Sequence, residues 1–116
     1  MKRVGAGSLY GALEMLILRA LDRDGPMHGV GVADHIATGS RGLFRIEEGS
    51  LYPALHRLQA RGHVDWEWMK TEDGKRAKYY RITRSGRKAL SRELKGWINS
   101  TQAMLSLLDV PVEDIG

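Results

Sequence analysis

The stretch from Gly49 to Gly62, GSLYPALHRLQARG, decides how the rest of the chain is read. Its Leu51, Leu55 and Leu58 fall at i, i+4 and i+7, one face of a helix, while Tyr52, His56 and Gln59 repeat that spacing on another. The first face is fit to pack inward and the second to stay outside. Ser50 is a good N-cap, Pro53 is tolerable in a first turn because its missing N–H has no intrahelical partner there, and Gly62 suits the C-cap. An outer polar face alone is no more than any amphipathic surface helix has. The meaning of this one comes from its neighbours.

Downstream, Val64, Trp66 and Trp68 alternate with Asp65, Glu67 and Met69, the period of a half-buried strand, and Lys78 to Ile82 is its expected partner. Between them, Thr71 to Arg76 contains Asp73-Gly74, a hairpin turn signal, and is followed closely by a cationic set, Lys75, Arg76 and Lys78. Long cationic side chains on a hairpin tip can reach phosphates or a minor groove, although a merely soluble turn would carry them too. A short helix with an exposed polar and aromatic face, followed by a basic hairpin, is the layout of a winged helix-turn-helix DNA reader.

Upstream, Leu9, Ala12, Leu13, Leu16, Ile17, Ala20 and Leu21 recur at helical spacing, with Ser8 available as N-cap and Asp24-Gly25-Pro26 as the stop. A second helix is expected over His28 to Thr38, turning Val30, Ala33 and Ile36 or Ala37 inward. Gly29, Gly31 and Gly39 make it weak by propensity, and the first two could let another backbone come close. His28 and His35 are too far apart to hold a metal as a pair, so satisfied structural or surface histidines are expected. Gly39 to Glu48 reads as a loop in which Leu43, Phe44 and Ile46 can form a short strand.

Downstream of the hairpin, Thr83 caps a last helix running from about Arg84 to Asp109, stopped by Pro111. Leu90, Leu94, Trp97, Ile98, Thr101, Met104, Leu105 and Leu108 give it a stripe spaced by threes and fours. A helix this long cannot bury that stripe against so small a domain. A partner helix is implied, most simply from a second copy in a two-fold dimer, which would also present two short reading helices to one face of a duplex.

Charge is distributed to match. Residues 1–40 hold four Lys/Arg against four Asp/Glu, residues 41–92 thirteen against six, and residues 93–116 one against four. A basic centre between neutral and acidic ends suits a phosphate-facing module. The chain has no cysteine, which rules out disulfides and thiolate zinc sites, and no run of eighteen apolar residues or leader-like start. A cytoplasmic protein with no membrane contact, no cofactor and no metal is expected. There is no phosphate loop, GxSxG or HExxH, and adjacent Glu47 and Glu48 would point apart on a helix, so no enzyme is expected.

Over about residues 9–98 the chain resembles the PadR family of bacterial transcriptional regulators. The likeness rests on EGSLYPALHRLQARGHV, on the hairpin ending KYYRIT and on TRSGRKAL opening the last helix. A single C-terminal helix is similar to the small subfamily. The resemblance implies a dimeric winged-helix repressor that releases DNA when a small aromatic or drug-like effector binds. It implies Ser50, Tyr52, His56 and Arg57 as DNA-facing, and Lys75, Arg76 and Lys78 on phosphate or minor groove. It also implies Trp97 as the lining of an effector cavity at the dimer centre, a role that competes with plain dimer core. Val30 departs from an aromatic residue common in the family, and neutral Thr101 leaves no carboxylate one turn beyond Trp97 to pair with a cationic drug.

The expected fold is therefore mainly α with a small β-hairpin, an α+β winged helix-turn-helix with a long C-terminal dimerisation helix. Residues 1–83 form the DNA-binding domain, 84–110 the dimerisation helix, with Leu94, Trp97, Ile98, Thr101, Leu105 and Leu108 at the interface, and 111–116 a tail. The expected function is sequence-specific repression at a palindromic operator; the alternative is a nonspecific or architectural nucleic-acid binder without effector.

Overall fold

The leucine spacing that organises the sequence also organises the molecule, in a computed structural model that describes residues 6–110, with side chains from Ala12 onward. The elements run α1 (Ala6–Asp24), β1 (Met27–His28), α2 (Gly29–Gly39), α3 (Glu48–Ala60), β2 (Val64–Lys70), β3 (Arg76–Ile82) and α4 (Arg84–Leu107). The expectations for Pro111 and the tail, and for the side chain of Leu9, lie outside the described residues. Ser8 falls inside α1 rather than at its cap.

Leu51, Leu55 and Leu58 of α3 are buried against Leu13, Ile17, Leu18 and Leu21 of α1 and Val32 and Ile36 of α2, in one core that Val64, Tyr80, Ile82 and Leu90 close. Each such side chain contributes about 1.5–3 kcal/mol relative to exposure, so this three-helix contact is the main source of stability. The helix ends as Gly62 requires. Gly62 has φ 76°, its N–H donates to Gln59 O and the His63 N–H to Leu58 O, the paired bonds of a Schellman cap.

The start of α3 differs from expectation. It begins at Glu48, and the Ser50 and Leu51 N–H groups both donate to Glu47 O, so Ser50 lies in the first turn rather than at the cap. Pro53 therefore sits one turn further in, where its missing N–H deprives the Gly49 carbonyl of its usual donor. A carboxylate at Glu48 favours the early start through the helix dipole.

Two further expectations are corrected. In α2, Val32 and Ile36 face inward while Val30 is 53 % exposed. His28 caps this helix, its Nδ1 accepting the Gly31 N–H at 3.1 Å, and Gly29, Val32 and Ile36, spaced by three and four, make the inner face. The third strand is β1 and not the stretch around Leu43, Phe44 and Ile46. Arg41 at φ 56° and Gly42 at φ 80° reverse the chain after α2, and Ser40 Oγ accepts the Phe44 N–H at 3.0 Å, tying that segment back to the helix end.

The sheet has the order β1-β3-β2, antiparallel throughout. Trp66 faces Tyr80, Trp68 faces Lys78 and Lys70 faces Arg76 across the hairpin. At its far end Thr83 caps α4, accepting the Gly86 N–H at 3.1 Å, while its own N–H donates to His63 O at 3.0 Å and its hydroxyl to Gly62 O at 2.6 Å. Gly86 makes this junction possible: a Cβ there would stand 2.1 Å from His63 O. Beyond Leu90 no residue of α4 is fully buried, and the molecule measures 52 × 28 × 23 Å.

Candidate nucleic-acid interface

The turn between β2 and β3 is built from its own side chains. Gly74 takes φ 83°, its N–H donates to Thr71 O at 2.9 Å, and Thr71 N–H donates to Lys75 O at 2.7 Å. The Thr71 hydroxyl bonds the Asp73 carboxylate, and that bond, with a second from the Lys75 N–H, holds the Asp73 carboxyl below the usual aspartate range. Asp73 is thereby committed to the turn backbone, and the cations beside it are left without a carboxylate.

This turn overhangs α3. Between the two lies an open cleft of about 860 Å³. Tyr52 and His56 enter it from the helix, and Lys75, Arg76 and Lys78 from the hairpin. Five of the seven residues expected to face DNA thus meet in one concavity. The other two do not reach it. Ser50 is half-buried at the start of α3, and Arg57 turns to α1, its Nε donating to Glu14 at 3.2 Å. Arg61, one turn on, donates to the other oxygen of Glu14 at 2.5 Å.

Tyr52 has a second task. Its ring packs over Gly29, where an added Cβ would come within 2.7 Å of the hydroxyl oxygen, so the glycine is the seat of the ring. Tyr80 lies beside it in the floor of the cleft; burial raises its phenol above the ordinary value, and the nearby Tyr52 adds to that shift. His28, besides capping α2, stands edge-on to Tyr79 at 5.3 Å, and His35 pairs with Asp24 at 2.6 Å. Both histidines have structural employment.

The electrostatics separate two kinds of cation. Arg81 pairs with Asp65 and Glu67 on the outer face of the sheet, Arg87 with Asp22, and Arg57 and Arg61 with Glu14. Among the described residues Lys75, Arg76 and Lys78 enter no such pair. Two of them lie instead near aromatic rings: Arg76 is 5.0 Å from the centre of Trp68, and Lys78 4.3 Å from that of Trp66. The sequence reading missed these tryptophans as site residues. The signal was available, because counting back from Asp73-Gly74 pairs Trp68 with Lys78.

On α4, Leu94, Trp97 and Leu105 are half-buried, while Ile98, Thr101 and Leu108 are exposed, Leu108 at 68 %. Within one chain the stripe is thus covered only in part: Leu90 is buried in the core, whereas Ile98, Met104 and Leu108 are exposed. No helix there is long and apolar enough to cross a membrane.

Residues 17–92 match the transcriptional regulator PadR-like family. The chain is 33 % identical over 90 residues to an uncharacterised protein of Lysinibacillus sphaericus, covering 77 % of this chain and 81 % of that one. It is 37 % identical over 70 residues to a transcriptional regulator of Mycobacterium tuberculosis, covering 60 % and 62 % respectively. Among solved structures, a PadR family transcriptional regulator of Eggerthella lenta superposes with a TM-score of 0.74 at 30 % identity, over 90 % of this chain and 88 % of that one.

Proposed function

We propose that this chain, which belongs to the PadR-like family of transcriptional regulators, acts as a cytoplasmic homodimeric repressor that reads a palindromic operator and is released from it by a small aromatic or drug-like effector. It is a regulator and not an enzyme. The observation that carries the reading is the cleft, in which the outer face of α3 and three hairpin cations that enter no ion pair among the described residues converge, with Glu72 and Asp73 beside them. A DNA strand lying there would meet Tyr52 and His56 at base edges and Lys75, Arg76 and Lys78 at its phosphates.

The dimer is supported by the apolar stripe of α4, which leaves the domain with Ile98, Met104, Leu107 and Leu108 exposed. Two such helices packed together would set two α3 helices toward major-groove segments about 34–36 Å apart, one turn of the duplex. An effector between the paired helices, against Trp97 and its copy, would act by binding one dimer geometry better than the other; only such a difference in affinity can move the equilibrium. Offset stacking on the two indole rings favours a planar molecule, and with neutral Thr101 nearby a neutral or acidic one fits as well as a cation.

The test is selection of duplexes from a random pool by the purified protein, followed by binding at physiological salt. One palindromic sequence should emerge and bind orders of magnitude tighter than bulk DNA. A steep salt dependence with no preferred sequence would instead show an architectural binder.

A further inference from the structure

An aromatic series leads outward from the core along the hairpin. Trp66 packs on the core beside its register partner Tyr80. Trp68, two residues on and on the same face, stands edge-on to Trp66 with ring centres 5.7 Å apart and planes at 84°. It is 51 % exposed and borders the cleft. Arg76 lies over Trp68 at 5.0 Å, and Lys78 lies between the two indoles, 4.3 Å from Trp66 and 5.8 Å from Trp68.

What holds a cation decides how well it serves a phosphate. A carboxylate partner, as Arg81 has, cancels the charge and must be released before an anion can take its place. A ring does neither. It attracts the cation through its quadrupole, leaves the net charge intact and leaves the N–H donors at the edge of the guanidinium free. It also removes side-chain freedom that binding would otherwise have to remove. The arrangement is anchored at one end, since Trp66 is fixed by the core and Trp68 by Trp66.

We propose that Trp68 is a positioning residue for DNA binding: its ring holds Arg76, with Trp66 doing the same for Lys78, in the orientation in which the cation meets the DNA backbone. This rests on the hairpin being a DNA contact. Trp68 acts through Arg76 and adds no phosphate contact of its own. Removing the ring therefore weakens binding to every duplex alike and leaves the number of neutralised phosphates unchanged.

The test is fluorescence anisotropy with the selected operator duplex and with a random duplex over a range of salt. Trp68→Leu, which keeps apolar bulk against Trp66 without a cation-binding ring, and Trp68→Ala should each weaken binding to both duplexes roughly three- to tenfold, the cost of one disordered side chain. The slope of log affinity against log salt should not change. Trp68→Tyr should recover most of the loss. In an Arg76→Ala background, Trp68→Leu should have no further effect. Equal losses in the two backgrounds, a changed salt slope, or wild-type binding by Trp68→Leu would overturn the inference while leaving the hairpin as a DNA contact. If Arg76→Ala itself changed neither affinity nor slope, the hairpin contact would fall and the role of Trp68 with it.

Discussion

Replacing Gly86 by alanine should destabilise the fold, although alanine is the better helix former. A Cβ at this position would lie 2.1 Å from His63 O and 2.8 Å from Ile82 Cγ1. The carbonyl is backbone, so relief requires the first turn of α4 to back away by more than 1 Å (roughly, from ordinary contact near 3.4–4.0 Å). Backing away lengthens two bonds that close the junction, Thr83 N–H to His63 O at 3.0 Å and the Thr83 hydroxyl to Gly62 O at 2.6 Å. Each is worth about 0.5–1.5 kcal/mol net, overpacking costs a further 1–3 kcal/mol or so, and helix propensity returns about 1 kcal/mol. The net loss is about 1–5 kcal/mol, centred near 3. For a chain of this size that lowers Tm by roughly 10 °C. The assay is thermal and urea denaturation followed by circular dichroism, at one fixed protein concentration because melting of the proposed dimer would depend on it. Gly96→Ala is the control: it lies on the same helix with nothing within 4 Å of an added Cβ, and should be neutral or stabilising. A Gly86→Ala protein as stable as wild type would refute the junction geometry.

The two roles assigned in the cleft separate by salt. His56→Ala should relax sequence preference, at about 1–3 kcal/mol per lost base contact, while Lys75→Ala should weaken all sequences alike and reduce the salt slope by roughly one; the reverse pattern, read by competition binding, would exchange the roles. Leu105→Asp should yield a monomer by analytical ultracentrifugation, since it buries a carboxylate in the proposed helix pair, and that monomer should bind DNA poorly; a dimeric variant would move the interface elsewhere. The hairpin turn should loosen in acid. Because the folded Asp73 carboxyl titrates below its unfolded value, its contribution is complete above about pH 4 and is lost as pH falls through the lower, folded value. Amide shifts of Gly74 and Lys75 followed by NMR should report this, and Asp73→Asn should abolish it.

What was legible in the sequence was what local chemistry determines. Leu51, Leu55 and Leu58, the Gly62 cap, the Asp73-Gly74 turn and the Thr83 cap each depend on residues within a turn or two, and all are found where spacing put them. Met27-His28 escaped because two residues carry no period; only the edge of β3 makes them a strand. In α2 the short apolar pattern allowed either Val30 or Val32 as the inner residue, and only packing against the core selects Val32 with Gly29 and Ile36. Of the seven residues expected to face DNA, five line one cleft, because helix face and turn position suffice to bring them together. The pairing of Arg57 with Glu14 was not legible, since the partners are 43 positions apart. Val64, Trp66 and Trp68 were read as the inner face of a half-buried strand; Trp66 does pack on the core, but the sheet outruns the core at Trp68, which borders the cleft.

The seating of Tyr52 on Gly29 joins two positions that a comparison of α3 helices alone would treat as unrelated. A protein engineer who grafts foreign residues onto the outer surface of α3 to retarget this scaffold inherits position 29 as part of the graft. A bulkier side chain there tips the phenol ring out of its berth, so the two sites travel as a single heritable unit, and a suppressor of Gly29→Ala should be sought first at residue 52.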